Sequence, residues 1–387
     1  MKKTKKILMA CHNYWTSPFQ VGSHHLARQF VRLGYEVAFI SDPISPLHFL
    51  GGRKGDLAEK LRINRQGGLR DLDGKLWAYV PFSLVTPHNS PILRSSWVYR
   101  SWVKLSLPNV VQKVRQMGFG QVDLLYLDSL YQSFWLGQVQ ARHSLFRVAD
   151  FNQGFERATS AALDAEEKLV RGVEAVAYTA RGLEEPLRKM NPKKLVYLPN
   201  GVHFSHFAGP LPPKPPEYAG FSVPPVIYVG AMEEWFHFDW VFRAAAALPK
   251  IPFVLIGLAP SSIQGRAPGN VHFLGAKPYP QIPAYLRHAS VGIIPFNREK
   301  YPALVDRIHP LKLYEYMACG LPVVATDWDE IRRLRSPARL CSTAGEFTAE
   351  LKKALRHGRR GLSVDYARKQ DWSKRAKILA GFLKGGD

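Results

Sequence analysis

The sequence predicts an α/β protein built from two doubly wound parallel sheets, and three features of its 387 residues carry that prediction. Short apolar runs alternate with stretches of helical spacing through the first half of the chain. A proline-rich stretch then interrupts the pattern, Leu211-Pro212-Pro213-Lys214-Pro215-Pro216 followed by Pro224-Pro225. After it the same alternation resumes. Strand–helix alternation suits a parallel sheet covered on both faces, and a chain of this length favours two cores over one.

Each element follows from local pattern. Residues 6–11 are a short apolar run suited to a buried parallel strand. Residues 22–33 place Leu26, Phe30 and Leu33 at helical spacing and stop at Gly34. Strands are expected at 35–40, 122–127, 145–148 and 174–179, and helices at 160–171 and 181–190. Residues 201–225 read as a stiff, extended connector. In the second block, strands are expected at 226–229, ending in Gly230, and at 253–256, ending in Gly257. Further strands are expected at 271–274, 291–295 and 322–325, and helices at 238–248, from near Pro310, at 344–356 and at 366–383. The expected domains are 1–200, 201–365 and a terminal helical segment, 366–387. Ligands of such sheets bind outside the carboxyl ends of the strands, so a cleft lined by those edges is expected.

Composition narrows the partners. No run of eighteen apolar residues exists, so no spanning helix is expected. The basic start, Met1-Lys2-Lys3-Thr4-Lys5-Lys6, imitates a signal peptide, but the apolar run after it is short and His12-Asn13-Tyr14-Trp15 breaks it. It reads as the first strand, and a cytoplasmic location is expected. Cys11, Cys319 and Cys341 are too scattered for a disulfide framework or a metal site. The formal charge of +22 suits nucleic acid, an anionic membrane or anionic substrates, besides simple solvation. No nucleic-acid-binding signature is present, so membrane and phosphate-bearing partners are expected instead. Segment 91–117 interleaves Ile92, Leu93, Trp97, Val98, Trp102, Val103, Leu105 and Leu107 with Arg94, Arg100, Lys104, Lys113 and Arg115. That pattern fits either an interfacial helix or an amphipathic helix packed on a core. Arg53, Lys54, Lys60, Arg62, Arg65 and Arg70 precede it and add attraction to anionic lipid.

The chemistry-bearing residues cluster at expected strand ends. Gly230-Ala231-Met232 is a small-residue turn that lets backbone approach a phosphate or base, although such turns also serve packing. The helix starting near Pro310 offers free N–H groups, and Lys312 and Arg307 add charge for a diphosphate. Glu315, three residues after Lys312, can bond ribose hydroxyls or form an exposed Lys–Glu pair. The loop from His12 to His25 carries hydrogen-bonding and stacking groups suited to an acceptor, with His24 or His25 as a reserve base; joint metal ligation by these adjacent histidines is not expected. Asp150 follows the 145–148 strand and serves either as a base or as a turn or helix-capping aspartate.

The run from Pro310 through Lys312, Leu313, Glu315 and Gly320-Leu321-Pro322 to Thr326 resembles the donor-site signature of GT-B glycosyltransferases. Pro199-Asn200-Gly201-Val202 resembles that family's turn into its second domain, and 366–373 its terminal helix, which crosses back to the first. The resemblance implies a GT-B fold of two Rossmann-like domains and a nucleoside-diphosphate-sugar donor, UDP-linked, held by Gly230, Met232, Arg307, Lys312, Leu313 and Glu315. It implies a glycan or polyprenyl-diphosphate-linked acceptor in cell-surface polysaccharide assembly, at the inner face of the cell membrane, with no metal or other cofactor. Retaining members carry a carboxylate eight positions before Glu315; here Arg307 stands there, which argues against that mechanism. The chain looks more like the inverting xanthan-type glucuronosyltransferases (GumK-like), whose first-domain aspartate base corresponds to Asp150. A glucuronate donor would call for a cation, and loop 13–20 has no Arg or Lys. Other expectations are a retaining GT-B enzyme and a catalytically degenerate GT-B scaffold.

Overall fold

The computed structural model describes residues 4–51, 54–87, 93, 95–156, 158–358 and 361–383. Arg53, Ile92 and Arg94 therefore lie outside the described residues. The chain divides into two compact units, residues 1–199 with 375–387, and residues 200–374.

The first unit carries eight strands: β1 (Lys6–Cys11), β2 (Glu36–Ser41), β3 (Leu69–Asp71), β4 (Leu76–Tyr79), β5 (Gln121–Leu127), β6 (Gln140–Val148), β7 (Ala175–Tyr178) and β8 (Leu195–Tyr197). They form one sheet in the order β3-β4-β2-β1-β5-β6-β7-β8. All pairs are parallel except the β3–β4 hairpin. Leu8, Ala38, Leu125, Phe146 and Val176 from neighbouring strands share one buried cluster, as near-continuous apolar strands of a doubly covered sheet should. The order turns around between β1 and β5, which makes a topological switch point at their carboxyl ends.

The second unit holds β9 (Val226–Val229), β10 (Phe253–Ile256), β11 (Val271–Gly275), β12 (Val291–Ile294), β13 (Val323–Thr326) and β14 (Arg339–Cys341), in the order β11-β10-β9-β12-β13-β14. Its switch point falls between β9 and β12. These two strands pair only at Val291↔Val226 and Gly292↔Ile227 and then splay. Tyr316 fills the splay: its hydroxyl accepts from the Val229 N–H at 2.7 Å. A side chain at position 292 would sit 2.4 Å from the Tyr316 ring, so the crossing requires Gly292.

Three expectations are revised. Residues 201–225 are not simply a stiff, extended connector, since they contain the helical turns Phe204–Phe207 and Pro216–Tyr218. Phe207 and Tyr218 are buried in the second unit's core, and Val202 bridges to Asp371. Segment 91–117 is not one helix; it contains helices Ser96–Ser101 and Val110–Gln116 with a 3-10 turn, Trp102–Leu105, between them. Trp102 is fully buried, with its indole N–H donating to Tyr131 O at 2.7 Å, while Trp97 remains 62% exposed. The terminal segment is two helices, Gly361–Arg368 and Trp372–Phe382. The last begins in the second unit and belongs to the first from Arg375 onward, where Arg375 Nε donates to Pro199 O at 3.3 Å and Phe382 packs on His143.

Candidate functional site

In the second unit, β9 and β10 each end in a glycine that must be glycine. Gly230 has φ +147° and Gly257 φ +138°, a region that disfavours any L side chain. Gly230 N–H donates to Ile256 O at 2.9 Å, and a Cβ on Gly257 would lie 1.8 Å from Gly230 O. The two turns are therefore packed backbone on backbone at the carboxyl edge of the sheet, with Gly230 at the end of β9, which borders the switch point.

Lys312 arrives there from helix Leu311–Ala318, whose N-cap is Pro310. Its ammonium stands 5.2 Å from the Tyr228 ring centre and 5.1 Å from that of Phe296, a cation held against two aromatic faces. A Cβ on Gly230 would meet Lys312 Cε at 3.1 Å, so the glycine turn and the lysine share one spot. Pro310 offers no side-chain cap, which leaves first-turn N–H groups of this helix without intrahelical acceptors. Glycine backbone, ammonium and helix N-terminus together make a place for a polyanion. The loop entering the helix is anchored from Asn200, whose side-chain amide donates to His309 O at 2.7 Å. That bond gives the Pro199-Asn200-Gly201 turn a physical role.

Glu315 lies one turn on, partly buried. Burial pushes its carboxyl up to about 7, against the pull of Lys312. Tyr314 and Tyr316 on the same helix face the core. So does Leu313, which can reach a ligand only through its backbone. Met232 is 1% exposed in the core beside Tyr228 and Phe236, so its side chain is packed inward and not presented at the edge. Arg307 follows helix Pro302–Val305, and its guanidinium donates back to Ala303 O at 2.6 Å. The structure thus brings Gly230, Lys312 and Glu315 together.

In the first unit, Asp150 is exposed on the turn after β6. It is not a helix cap, because Thr159 caps helix Ser160–Gly172. It lines a small cavity with Phe151, Asn152, Glu166 and Leu183. His24 and His25 are both buried. His24 Nδ1 accepts from the Val21 N–H at 3.2 Å and its Nε2 meets Tyr14 O at 3.0 Å, which closes the start of helix Gly22–Arg32. Burial lowers its pKa to about 4, so it stays neutral. His24 and His25 are packing residues, and the reserve-base expectation is withdrawn. Tyr14 and Trp15 are likewise buried, bonded to Asp56 and Asp71 at 2.9 and 2.7 Å, and are not open stacking platforms.

A polar cluster unforeseen from sequence occupies the first sheet's switch point. His12, Asp42 and Asp128 are each the first residue beyond adjacent strands β1, β2 and β5. His12 Nδ1 lies 2.7 Å from Asp42 Oδ2, and its backbone N–H donates to Asp128 Oδ1 at 2.9 Å. Asp42 also accepts from Ser129 Oγ and from Gln132 Nε2, the latter at 3.2 Å. Asp128 accepts from Ser23 Oγ. The bond to Asp42 raises the His12 pKa, while burial raises that of Asp128. The His12 ring remains 71% exposed, against 13% for the Asp42 side chain. The legible signal was three polar residues in the same place, one past a strand end.

Comparison with known proteins covers both units. Residues 9–179 match the family described as glucuronosyltransferase GumK, N-terminal domain, and residues 223–366 match glycosyl transferases group 1. TuaH of Bacillus subtilis (strain 168), named for a glycosyltransferase of teichuronic acid biosynthesis, is 27% identical over 164 residues, covering 38% of this chain. The chain spans 39% of that relative's length. Sucrose-phosphate synthase from Thermosynechococcus elongatus aligns over 98% of both chains with TM-score 0.69 and 15% identity. Anabaena HepE in complex with UDP and glucose aligns over 98% of this chain and 100% of its own, with TM-score 0.64 and 15% identity. These likenesses show the fold.

Proposed function

For a chain that belongs to the GT-B glycosyltransferases, we propose transfer of a sugar from a nucleoside diphosphate, UDP, to a hydroxyl of a glycan or polyprenyl-diphosphate-linked sugar. The observation that carries the proposal is Lys312, set against Tyr228 and Phe296 beside the Gly230 turn. HepE, a neighbour in fold, is described with UDP and glucose, which supports the choice of nucleotide.

In this reading Lys312 and the N-terminus of its helix take the charge of the departing diphosphate, which supplies the largest share of catalysis in such transfers. Arg307 adds to the field from the preceding loop. Glu315 accepts from ribose hydroxyls, and the backbone at Met232 and Leu313 borders the nucleotide. No metal is required, because the leaving group is neutralised by fixed protein charge. The acceptor oxygen attacks the anomeric carbon from the face opposite the diphosphate, inverting the centre, and its proton passes to a base of the first unit, Asp150 by resemblance.

Exposed apolar side chains of the first unit support a lipid arm on the acceptor and contact with a membrane surface. Phe49, Leu84, Trp97 and Leu107 are 55%, 51%, 62% and 55% exposed. Backbone bonds Leu84 N–H to Leu105 O and Leu107 N–H to Phe82 O hold two of these segments side by side. The net charge of +22 supports the reading of a cytoplasmic, peripheral enzyme acting at the anionic inner face of the cell membrane.

Thermal-shift titration of the full chain with UDP, GDP, ADP and their sugars tests the donor, and product NMR reads the anomeric outcome. A specific shift with UDP and its sugars is expected. Retention of configuration would remove the inverting mechanism, and nucleotide binding without turnover across acceptors would mark a scaffold.

A further inference from the structure

Resting on the transferase reading and on Asp150 as its base, we propose that Glu166 is a positioning residue for that reaction: through Asn152, it fixes the turn that carries Asp150. Glu166 neither touches substrate nor moves a proton in this account. It holds the backbone two residues beyond the base, so that the base meets the acceptor hydroxyl at bonding distance.

Burial singles Glu166 out. Helix Ser160–Gly172 buries Ala161, Ala165, Leu169 and Val170, and Glu166 is buried with them at 3% exposure. The next residue, Glu167, stays at the surface, paired with Arg171. A carboxyl on a buried helix face costs stability unless it is well bonded. Burial raises the Glu166 pKa, and the bond from Asn152 pulls it back. That bond is short: Asn152 Nδ2 donates to Glu166 Oε1 at 2.8 Å. Asn152 opens the 3-10 turn Asn152–Gly154, closed by the Gly154 N–H donating to Phe151 O at 2.9 Å. On the other side of Asp150, Thr179 Oγ1, just past β7, donates to Ala149 O at 2.9 Å. The exposed Asp150 thus stands between two anchors, one from a strand end and one from Glu166. Asp150, Asn152 and Glu166 line one cavity, which has room for little more than a water molecule. A sugar cannot enter it to reach Glu166, so this carboxyl serves the turn and not the substrate. A base must come within hydrogen-bond reach of its proton, and a displacement of about 1 Å can cost roughly 100-fold in rate.

The test is UDP release by the full chain from a UDP-sugar with an alkyl glycoside as acceptor, both saturating. Glu166→Ala and Asn152→Ala are each expected to lower kcat roughly tenfold, with UDP affinity by calorimetry unchanged. The two together should cost no more than either alone, because both break one bond. Glu166→Gln keeps an oxygen that accepts from Asn152 and should recover most of the loss. Circular dichroism melting checks that each variant folds. The decisive comparison is made in Asp150→Asn. With no base left to position, Glu166→Ala should cost nothing further there. The same tenfold loss in that background would mean general damage and overturn the proposal. Wild-type kcat in Glu166→Ala would also refute it, and so would a Glu166→Gln enzyme as slow as Glu166→Ala. Full activity of Asp150→Asn alone would instead remove the base reading, and absence of UDP binding by wild type would sink the transferase reading, each taking the proposal with it.

Discussion

Replacing Gly230 by alanine probes the donor site with a single methyl group. At φ +147° a Cβ is strained wherever it points, and here it points at Lys312, with Cε at 3.1 Å, Nζ at 3.3 Å and Tyr228 Oη at 3.2 Å. The strained backbone costs about 1–3 kcal/mol. Lys312 yields by a few tenths of an ångström and loses alignment over its two rings, each face being worth about 0.5–2 kcal/mol. Lost alignment of about 1–2 kcal/mol corresponds to UDP binding weaker by roughly 5- to 30-fold. Calorimetry with UDP and with uridine separates the causes. Lys312 is assigned to the diphosphate, so UDP should weaken and uridine should not. Equal weakening of both would place the damage in the base and ribose contacts, and unchanged UDP affinity would refute the role of the Gly230–Lys312 contact. Circular dichroism melting checks that the variant folds, with Tm expected to fall by several degrees.

Other outcomes follow from the same geometry. Glu315, lifted to about 7 by burial, holds a proton in the folded state that the unfolded chain releases above its ordinary carboxyl range. Stability therefore falls as pH rises from that range through 7. Glu315→Gln removes the penalty and is expected to stabilise the protein at pH 8 by up to about 3 kcal/mol in chemical denaturation. Wild-type UDP affinity should rise as Glu315 ionises, and Glu315→Gln should flatten that dependence; a pH-independent wild type contradicts the ribose contact. Trp97→Ser with Leu107→Ser should weaken sedimentation with phosphatidylglycerol vesicles by roughly tenfold and leave UDP binding intact, and undiminished sedimentation would remove the patch from membrane contact. Tyr316→Phe leaves the Val229 N–H without its acceptor and should cost about 1–3 kcal/mol of stability, read by denaturant titration.

Local periodicity made most of the fold legible. The apolar runs of β1, β5, β9 and β10 were clear because strands buried on both faces leave continuous apolar sequence. Strands β3, β4, β8 and β14 were not expected. They are three or four residues long, and their definition comes from neighbours across the sheet. Segment 91–117 misled because a buried helix and an interfacial one share the same spacing; only packing shows that Trp102 turns inward and Trp97 outward. The second unit's site was legible where sequence neighbours form it, as with Lys312 and Glu315 on one helix. His12, Asp42 and Asp128 are separated by tens of residues, and only strand order makes them adjacent. The absence of Arg and Lys from loop 13–20 was similarly incomplete, because the fold brings Lys60 over Tyr14 and Arg28 over Trp15, at 5.1 and 4.7 Å from the rings.

The most direct test of the donor assignment is calorimetric titration of UDP into the full chain and into Lys312→Ala. The account predicts saturable binding to the wild type and at least a tenfold loss in the variant, with uridine affinity preserved. Equal UDP affinity in the two proteins, or no nucleotide binding by the wild type, would contradict it.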